Sequence, residues 1–225
     1  MLDCFSEICQ IVYFDGGKMQ NIKWLFFDLG STLIDETDCI NDRIEQIYSF
    51  TKISKNNIRN RMYELSNKSS IPLKIIAKEN GVDNLIWDSS LEKLYPNVSN
   101  ILDTLSKKYK LGIIANQSLG TADRLKEWNI YKYFDVICAS AEENCAKPDL
   151  RLFQIALDKT DCKPYETVMI GDRIDNDILP AHQLGMKTVC VKQGLSKYYK
   201  NDSNLIPNAT VNSIDELLNI NYEEI

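Results

Sequence analysis

The chain has 225 residues, 44% of them hydrophobic and 26% charged, which is typical of a globular protein with one sizeable core and a small second module, and which argues against disorder. Its formal net charge of −6 and isoelectric point near 5.0 argue against broad binding to nucleic-acid backbones or anionic membranes, because both would repel the average surface. A small molecule is therefore the expected partner.

The start of the chain and its cysteines indicate the cellular setting. No stretch approaches the roughly 20 apolar residues that span a bilayer, and acidic residues interrupt the N-terminus, so a secretion signal is not expected. Residues 1–18 are predicted to be a non-native extension, with translation starting at Met19, because a purine-rich stretch resembling a ribosome-binding site would encode the residues before it. The seven scattered cysteines contain no Cys-x-x-Cys pair, which favours reduced, mostly buried thiols in the cytoplasm.

The first predicted strand runs from Trp24 to Leu29 and carries Asp28 near its end. Its aromatic and aliphatic residues are typical of a buried parallel strand. A carboxylate at this position is a candidate nucleophile, a candidate metal ligand, or an ordinary cap where the strand leaves the sheet. The segment Gly30-Ser31-Thr32 predicts a turn whose backbone N–H groups point at an anion.

The segment from 36 to about 94 is predicted to be helical, without a strand. One helix begins with Asp38 or Asn41 as its cap, a second begins after Ser54, and a third covers 71–80. These helices are interpreted as a small insertion between the first and second strands of the core.

Helices and strands alternate from Asn97 onward, which predicts a parallel sheet with helices on both faces. Residues 202–212 are predicted to be a loop, and Ser213 is predicted to cap a short final helix. The predicted elements are helix 98–109, strand 111–115, helix 121–128, strand 135–139, helix 149–159, strand 167–171, helix 176–184 and strand 187–192.

Polar residues stand where these strands end. Asn116 follows the second core strand, and Asp172 follows the strand that ends in glycine, before the acidic run that contains Asp177. Lys147 precedes Pro148, which suits the first turn of a helix. Because ligands bind at the carboxyl ends of parallel strands, Asp28, Asn116 and Asp172 are expected to share one edge. The acidic run also suits a helix N-terminus, but a carboxylate at a buried strand tip is costly without a cation or donors.

The order of these features, a strand-end aspartate, a polar strand tip, a lysine and an acidic cluster, resembles the four motifs of the haloacid dehalogenase superfamily. The match extends from about Ile22 to Gly194. The resemblance implies an α/β fold, a doubly wound, Rossmann-like parallel sheet made by 19–35 and 95–225, with a small helical cap at 36–94 over the active site. It also implies a hydrolase for a small phosphorylated metabolite, without nucleic-acid or membrane partners.

The resemblance implies a role for each motif residue. Asp28 would attack phosphorus and form an aspartyl-phosphate. Mg²⁺ is the expected cofactor, with Asp28, the carbonyl of Gly30, Asp172 and Asp177 at the metal site, and Asn176 as an alternative to Asp177 for orienting its waters.

The phosphoryl group itself is expected to contact Ser31, Thr32, Asn116 and Lys147. Lys147 would also balance the negative charge on the phosphoryl group and on Asp28, as the lysine of the family does. The cap would set the specificity, but its residues carry no readable code for a substrate.

Two positions depart from the pattern of the family's phosphatases. Gly30 stands where they carry a second aspartate, which protonates the leaving group and later activates water, and loss of such a group typically costs about 10² to 10⁴ in rate. Ala115 stands where they carry a serine or threonine that hydrogen-bonds the phosphoryl oxygen, with Asn116 as a partial substitute.

Three interpretations of these departures remain open. In the first, the protein is a hydrolase whose substrate has a good leaving group or whose acid comes from Asp35, Glu36 or the cap. In the second, it resembles the family's dehalogenases, which also lack the second aspartate and need no metal. In the third, the fold binds phosphate or a protein with little turnover.

Overall fold

The computed structural model describes residues 21–66, 71–198 and 205–225, so the predicted extension 1–18 and the predicted start at Met19 lie outside the described residues. The strands are β1 (Trp24–Phe27), β2 (Ile34–Asp35), β3 (Lys93–Leu94), β4 (Lys110–Ala115), β5 (Val136–Ala139), β6 (Thr167–Gly171), β7 (Lys187–Val191) and β8 (Ala209–Val211). The α-helices are α1 (Thr37–Thr51), α2 (Lys55–Ser66), α3 (Pro72–Glu79), α4 (Val98–Ser106), α5 (Thr121–Glu127), α6 (Ser140–Glu143), α7 (Leu150–Thr160) and α8 (Leu179–Gln183).

Six of these strands form one sheet in the order β5-β4-β1-β6-β7-β8, and every neighbouring pair is parallel. The chain winds outward in both directions from the central strand β1. The predicted α/β class with a doubly wound parallel sheet is therefore confirmed. Within the described residues, no helix combines the length and apolar character that crossing a membrane requires.

The central strands are buried on both faces because alternate side chains enter two different cores. Leu25 and Phe27 of β1 pack in one core with α4 and α5, whereas Phe26 packs in the other core with α7 and α8. The same alternation recurs in β6, where Met169 lies on the side of Phe26. This double burial explains why the strands are continuous apolar runs.

The helices α1, α2 and α3 pack on one another through a separate apolar cluster that includes Ile44, Ile58 and Ile76. Ser54 caps α2 as predicted, since its Oγ accepts from Asn57 N at 3.3 Å. The short strands β2 and β3 pair antiparallel where this helical segment leaves and rejoins the core, and the sequence did not predict that pairing. The division into a core and a cap at 36–94 stays a prediction.

Several element boundaries differ from those predicted. Helix α1 begins one residue after Glu36, so the predicted caps Asp38 and Asn41 already lie inside it. Helix α7 begins only at Leu150, where the Asp149 side chain accepts from Arg151 N, so Pro148 lies in the preceding turn. The predicted helix from 176 is a π-helical turn, Ile174–Ile178, that leads into α8. The predicted loop 202–212 contains β8.

The cysteines in the described part of the chain agree with the prediction. All five are free thiols, and only Cys162 is not buried. Cys4 and Cys9 lie outside the described residues.

Candidate active site

The predicted site residues converge where β1, β4 and β6 end. Asp28 directly follows β1, and its backbone N–H still donates to Ile170 O of β6 at 2.9 Å, which fixes the residue at the tip of the sheet. Asn116 directly follows β4 and Asp172 directly follows β6. Because β1 pairs with both of those strands in parallel, the three polar residues share one edge of the sheet.

Lys147 joins this edge from the loop before α7. Its ammonium donates to Asp28 Oδ1 at 2.7 Å and to Asp177 Oδ1 at 2.6 Å, and its side chain is 2% exposed. Its backbone is fixed by the amide of Asn116, which accepts from Lys147 N at 2.7 Å and donates to Lys147 O at 2.9 Å. The predicted strand-tip residue therefore positions the predicted lysine.

Three buried carboxylates form the acidic cluster, which consists of Asp28, Asp172 and Asp177. Each offers an oxygen, and these oxygens all lie within 4.8 Å of one another. The π-helical turn brings Asp177 back towards the strand tip, where its Oδ2 accepts from Arg173 N at 2.9 Å. Gly171 leaves room for it, since a Cβ there would lie 2.5 Å from Asp177 Oδ2.

Burial and mutual repulsion shift the protonation of the cluster. Burial raises the pKa of Asp28 to about 6, although Lys147 opposes the shift. Burial, together with the charges of Asp177 and Asp28, raises the pKa of Asp172 well above its usual value. Burial alone would lower the pKa of Lys147, but the two carboxylates outweigh it and raise that pKa. The ammonium therefore stays charged between carboxylates that are costly to ionise together.

The donor set of the cluster fits a hard divalent cation. Its side-chain ligands are carboxylate oxygens, which Mg²⁺ prefers in proteins. Three carboxylates and one ammonium leave two uncompensated negative charges in a buried space when all are ionised. Gly30 lines the same cavity, and the metal-binding role of its carbonyl stays a prediction.

In the turn after β1, the N–H groups of Ser31 and Thr32 are not available to an anion, contrary to the prediction from the sequence. Ser31 N donates to Ile34 O at 2.8 Å and Thr32 N donates to Leu29 O at 3.2 Å, so the turn itself consumes both. The Ser31 side chain lines the cavity, but Thr32 is fully buried and is not among the described lining residues. Ser31 therefore borders the cavity, whereas the contact of Thr32 with a phosphoryl group stays a prediction.

A cavity of about 600 Å³ opens above the acidic cluster and is bounded on its far side by α1, α3 and the segment before β3. Part of its wall is a chain of polar contacts that the sequence analysis missed. Arg124 pairs with Glu92 at 3.3 Å, Glu92 accepts from Trp87 Nε1 at 2.7 Å, and the Arg43 guanidinium lies 4.6 Å from the centre of the Trp87 ring. Trp87 and Glu92 are five residues apart, but Arg43 and Arg124 come from distant segments, so no local spacing predicts their contacts with this pair.

Glu36, the residue that precedes α1, also lines the cavity. Ser31 Oγ donates to its Oε2 at 3.1 Å. Burial, and after it the charge of Asp28, raise the pKa of Glu36 to about 7. Asp35, the other nearby carboxylate considered from the sequence, instead accepts from Thr37 N at 3.0 Å and is not among the described lining residues.

Comparison with known proteins places residues 25–191 in a family described as haloacid dehalogenase-like hydrolase. A glyceraldehyde 3-phosphate phosphatase from Methanothermobacter thermautotrophicus is 34% identical over 110 residues, which are 48% of this chain and 49% of that protein. The chain thus spans about half the length of the curated relatives it matches at this level. A glyceraldehyde 3-phosphate phosphatase from Pyrococcus furiosus is 28% identical over 78% of this chain and 83% of its own.

Solved structures share the fold. A HAD-hydrolase from Bacillus subtilis, YfnB, whose structure contains magnesium, superposes with a TM-score of 0.66. The alignment covers 88% of this chain and 98% of that one, at 18% identity, so the likeness concerns the fold alone.

Proposed function

This chain belongs to the haloacid dehalogenase-like hydrolase family, and we propose that it is a Mg²⁺-dependent phosphohydrolase that acts on a small phosphorylated metabolite through an aspartyl-phosphate on Asp28. The observation that carries the proposal is the buried Lys147 ammonium between Asp28 and Asp177, with Asp172 completing the acidic cluster. A nucleophile, a fixed positive charge and a set of oxygen ligands for a cation meet there.

Each residue of the site has a role in the proposed reaction. An oxygen of Asp28 forms a bond to phosphorus while the bond from phosphorus to the leaving oxygen breaks. Lys147 keeps Asp28 oriented and offsets negative charge as the phosphoryl group arrives. Asp28, Asp172 and Asp177 would hold Mg²⁺, with Gly30 O as a further ligand, and the bound ion supplies positive charge that reduces the repulsion between phosphoryl group and carboxylate. Water then breaks the bond between phosphorus and Asp28.

The phosphoryl group is proposed to bind beside Ser31, Asn116 and Lys147, all of which line the cavity. Asn116 already uses both ends of its amide on Lys147, but its Nδ2 carries a second N–H that can donate. A cavity of about 600 Å³ suits a small metabolite. The relatives named as glyceraldehyde 3-phosphate phosphatases support phosphate esters of this size as the substrate class.

The same observations favour a phosphohydrolase over a dehalogenase. A metal-independent displacement of halide needs no cluster of three buried carboxylates, which are costly to bury without a cation. The free thiols support the proposal that the protein works in the reducing cytoplasm.

Phosphate release from alkyl, aryl and acyl phosphates, glyceraldehyde 3-phosphate among them, tests the proposal. The assay compares the native protein with Asp28→Asn, with Mg²⁺ and with chelator. We expect release that requires Mg²⁺ and falls at least about 10³-fold in Asp28→Asn, because the variant keeps the shape of the side chain but loses the nucleophile. Equal release by both proteins, or none by either, would contradict the proposal, and halide release from 2-haloacids would then identify a dehalogenase.

A further inference from the structure

The Glu36 carboxyl occupies the small space beside the proposed nucleophile that a side chain at position 30 would need. A Cβ added at Gly30 would lie 2.7 Å from Glu36 Oε1 and 2.9 Å from Glu36 Oε2. These distances are shorter than ordinary van der Waals contacts of a Cβ atom, which begin at 3.4 Å. The Glu36 carboxyl therefore fills the space into which a side chain at position 30 would project.

The turn after β1 delivers Glu36 to this place. Three N–H groups, those of Thr32, Leu33 and Ile34, converge on Leu29 O, so the chain folds back tightly after Asp28. It then leaves through β2, and the residue after β2 is Glu36. The hydrogen bond from Ser31 Oγ fixes one carboxyl oxygen towards the cavity that Asp28 and Lys147 also line.

We propose that Glu36 is the general acid and general base of the reaction. It lies six positions further along the chain than Gly30 and supplies the carboxyl group that position 30 lacks. The inference rests on the phosphohydrolase function proposed above. The carboxyl of Glu36, which reaches in from the residue before α1, occupies the place where the Cβ of an aspartate at position 30 would lie, so that aspartate would fit only if Glu36 moved.

The two proton transfers balance in the two half-reactions. As the bond from phosphorus to the leaving oxygen breaks, the Glu36 carboxyl gives its proton to that oxygen and becomes a carboxylate. The carboxylate then takes a proton from the attacking water while the water oxygen bonds to phosphorus and the bond from phosphorus to Asp28 breaks. Glu36 ends protonated and Asp28 ends free, as both began.

Glu36→Gln separates this role from a structural one, because glutamine keeps the size of the side chain and can still accept from Ser31. On alkyl phosphates, whose leaving oxygen needs the proton, we expect turnover to fall by about 10² to 10⁴. On p-nitrophenyl phosphate, whose leaving group needs no proton, we expect a burst of nearly one p-nitrophenol per protein, then slow turnover. Mass spectrometry after an acid quench should show the phosphoryl group accumulating on Asp28.

Two further variants control this experiment. Glu45→Gln removes an exposed carboxylate of α1 that pairs with Lys55 and should behave as the native protein. Asp35→Asn examines the other nearby carboxylate. Native-like turnover of Glu36→Gln on alkyl phosphates would overturn the proposal. It would also be overturned if Asp35→Asn, and not Glu36→Gln, showed the burst and the trapped intermediate.

A swap of the carboxyl group tests the shared space directly. Gly30→Asp alone should not raise turnover, because its side chain meets Glu36. In the Glu36→Ala background, which vacates the space, Gly30→Asp should restore turnover on alkyl phosphates at least about tenfold over Glu36→Ala alone. An equal gain from Gly30→Asp in both backgrounds would show that the two carboxyls do not exclude each other, and would overturn the proposal.

Failure of this inference differs from failure of the proposed function. If only the inference fails, turnover still requires Asp28, and Glu36→Gln matches the native protein on both substrates. If the proposed function fails, Asp28→Asn releases as much phosphate as the native protein.

Discussion

The ammonium of Lys147 lies 2.6 Å from Asp177 Oδ1, so a residue of the loop before α7 and a residue of the π-helical turn after β6 meet in the protein interior. The same ammonium reaches Asp28, which makes Lys147 the internal counter-charge of the acidic cluster. The proposed nucleophile and the proposed metal site are therefore linked through one side chain.

Replacing Lys147 by methionine should separate catalysis from metal binding. The variant lacks the charge that is proposed to face the phosphoryl group, and we expect turnover to fall by about 10² to 10³, as when an oxyanion donor is removed. The cluster also loses its internal cation, so Mg²⁺ should bind it more tightly. Thermal unfolding across a series of Mg²⁺ concentrations should show a larger stabilisation by Mg²⁺ than in the native protein.

Lys126→Met serves as the matched control, because Lys126 pairs with Asp123 at the surface and is not among the described lining residues of the cavity. Its turnover and its response to Mg²⁺ should equal those of the native protein. A smaller Mg²⁺ stabilisation in Lys147→Met than in the control would contradict the view of Lys147 as a substitute for metal charge.

Asp172→Asn should gain stability while it loses metal binding. Burial and the charges of Asp177 and Asp28 disfavour ionised Asp172, so removing its charge relieves repulsion in the absence of metal. In chelator we expect the melting temperature to rise by at least about 2 °C, which corresponds to about 1 kcal/mol in a domain of this size. Added Mg²⁺ should no longer raise it. An Asp172→Asn variant that melts lower than the native protein in chelator would show that the carboxylate is held by favourable contacts instead.

The sequence predicts the convergence of Asp28, Asn116 and Asp172 because the ends of neighbouring parallel strands must meet at one edge, whereas Lys147 and Asp177 are expected there from the family resemblance. It predicts the two-sided burial of the sheet for a similar reason, since continuous apolar strands need cover on both faces. Both features follow from backbone geometry that recurs whenever helices and strands alternate. The roles assigned to these residues stay proposals.

The cavity wall is less predictable, because side chains from separate segments build it. Contacts such as Glu92 with Arg124 and Arg43 with Trp87 join residues that are far apart in the sequence, and no repeat or spacing predicts them. The turn after β1 illustrates a second limit. Its glycine and polar residues indicate a turn, but only the fold shows that the N–H groups of Ser31 and Thr32 are consumed within it.

Gly171→Ala should disrupt the acidic cluster by displacing Asp177. The added Cβ would lie 2.5 Å from Asp177 Oδ2 and 2.6 Å from its Cβ, so Asp177 must shift from the position in which it pairs with Lys147. Overpacking of this kind costs about 1 to 3 kcal/mol. We expect a lower melting temperature and a Mg²⁺ stabilisation reduced by at least half, measured by thermal unfolding with and without Mg²⁺.

Gly112→Ala separates overpacking from loss of the site. Its Cβ would lie 2.7 Å from Phe26 Cδ1 and 2.8 Å from Val136 Cγ1, which crowds the apolar core instead of the carboxylates. This control should also lose stability but keep its response to Mg²⁺. If both variants respond to Mg²⁺ as the native protein does, Asp177 does not take part in metal binding.

Tyr222→Phe tests a buried polar contact remote from the cavity. Tyr222 is 2% exposed, donates to Leu217 O at 3.0 Å and packs edge to face against Tyr109. Phenylalanine keeps the ring but removes this hydrogen bond, while Leu217 O still accepts from Ile220 N at 3.4 Å, so at pH 8 we expect the free energy of unfolding to fall by about 1 kcal/mol. Urea unfolding measures this difference, and Tyr131→Phe, at a tyrosine that is 41% exposed, should leave it unchanged.

The difference in the free energy of unfolding between the native protein and Tyr222→Phe should become smaller as the pH rises above about 10, the usual pKa of tyrosine. Burial raises the pKa of Tyr222 in the folded state, so above that pH the unfolded chain loses the proton first and the folded state binds more protons. Stability then decreases with pH through this group in the native protein but not in the variant. Parallel urea curves at pH 8 and pH 10.5 measure the change, and a difference that grows with pH would contradict the assignment.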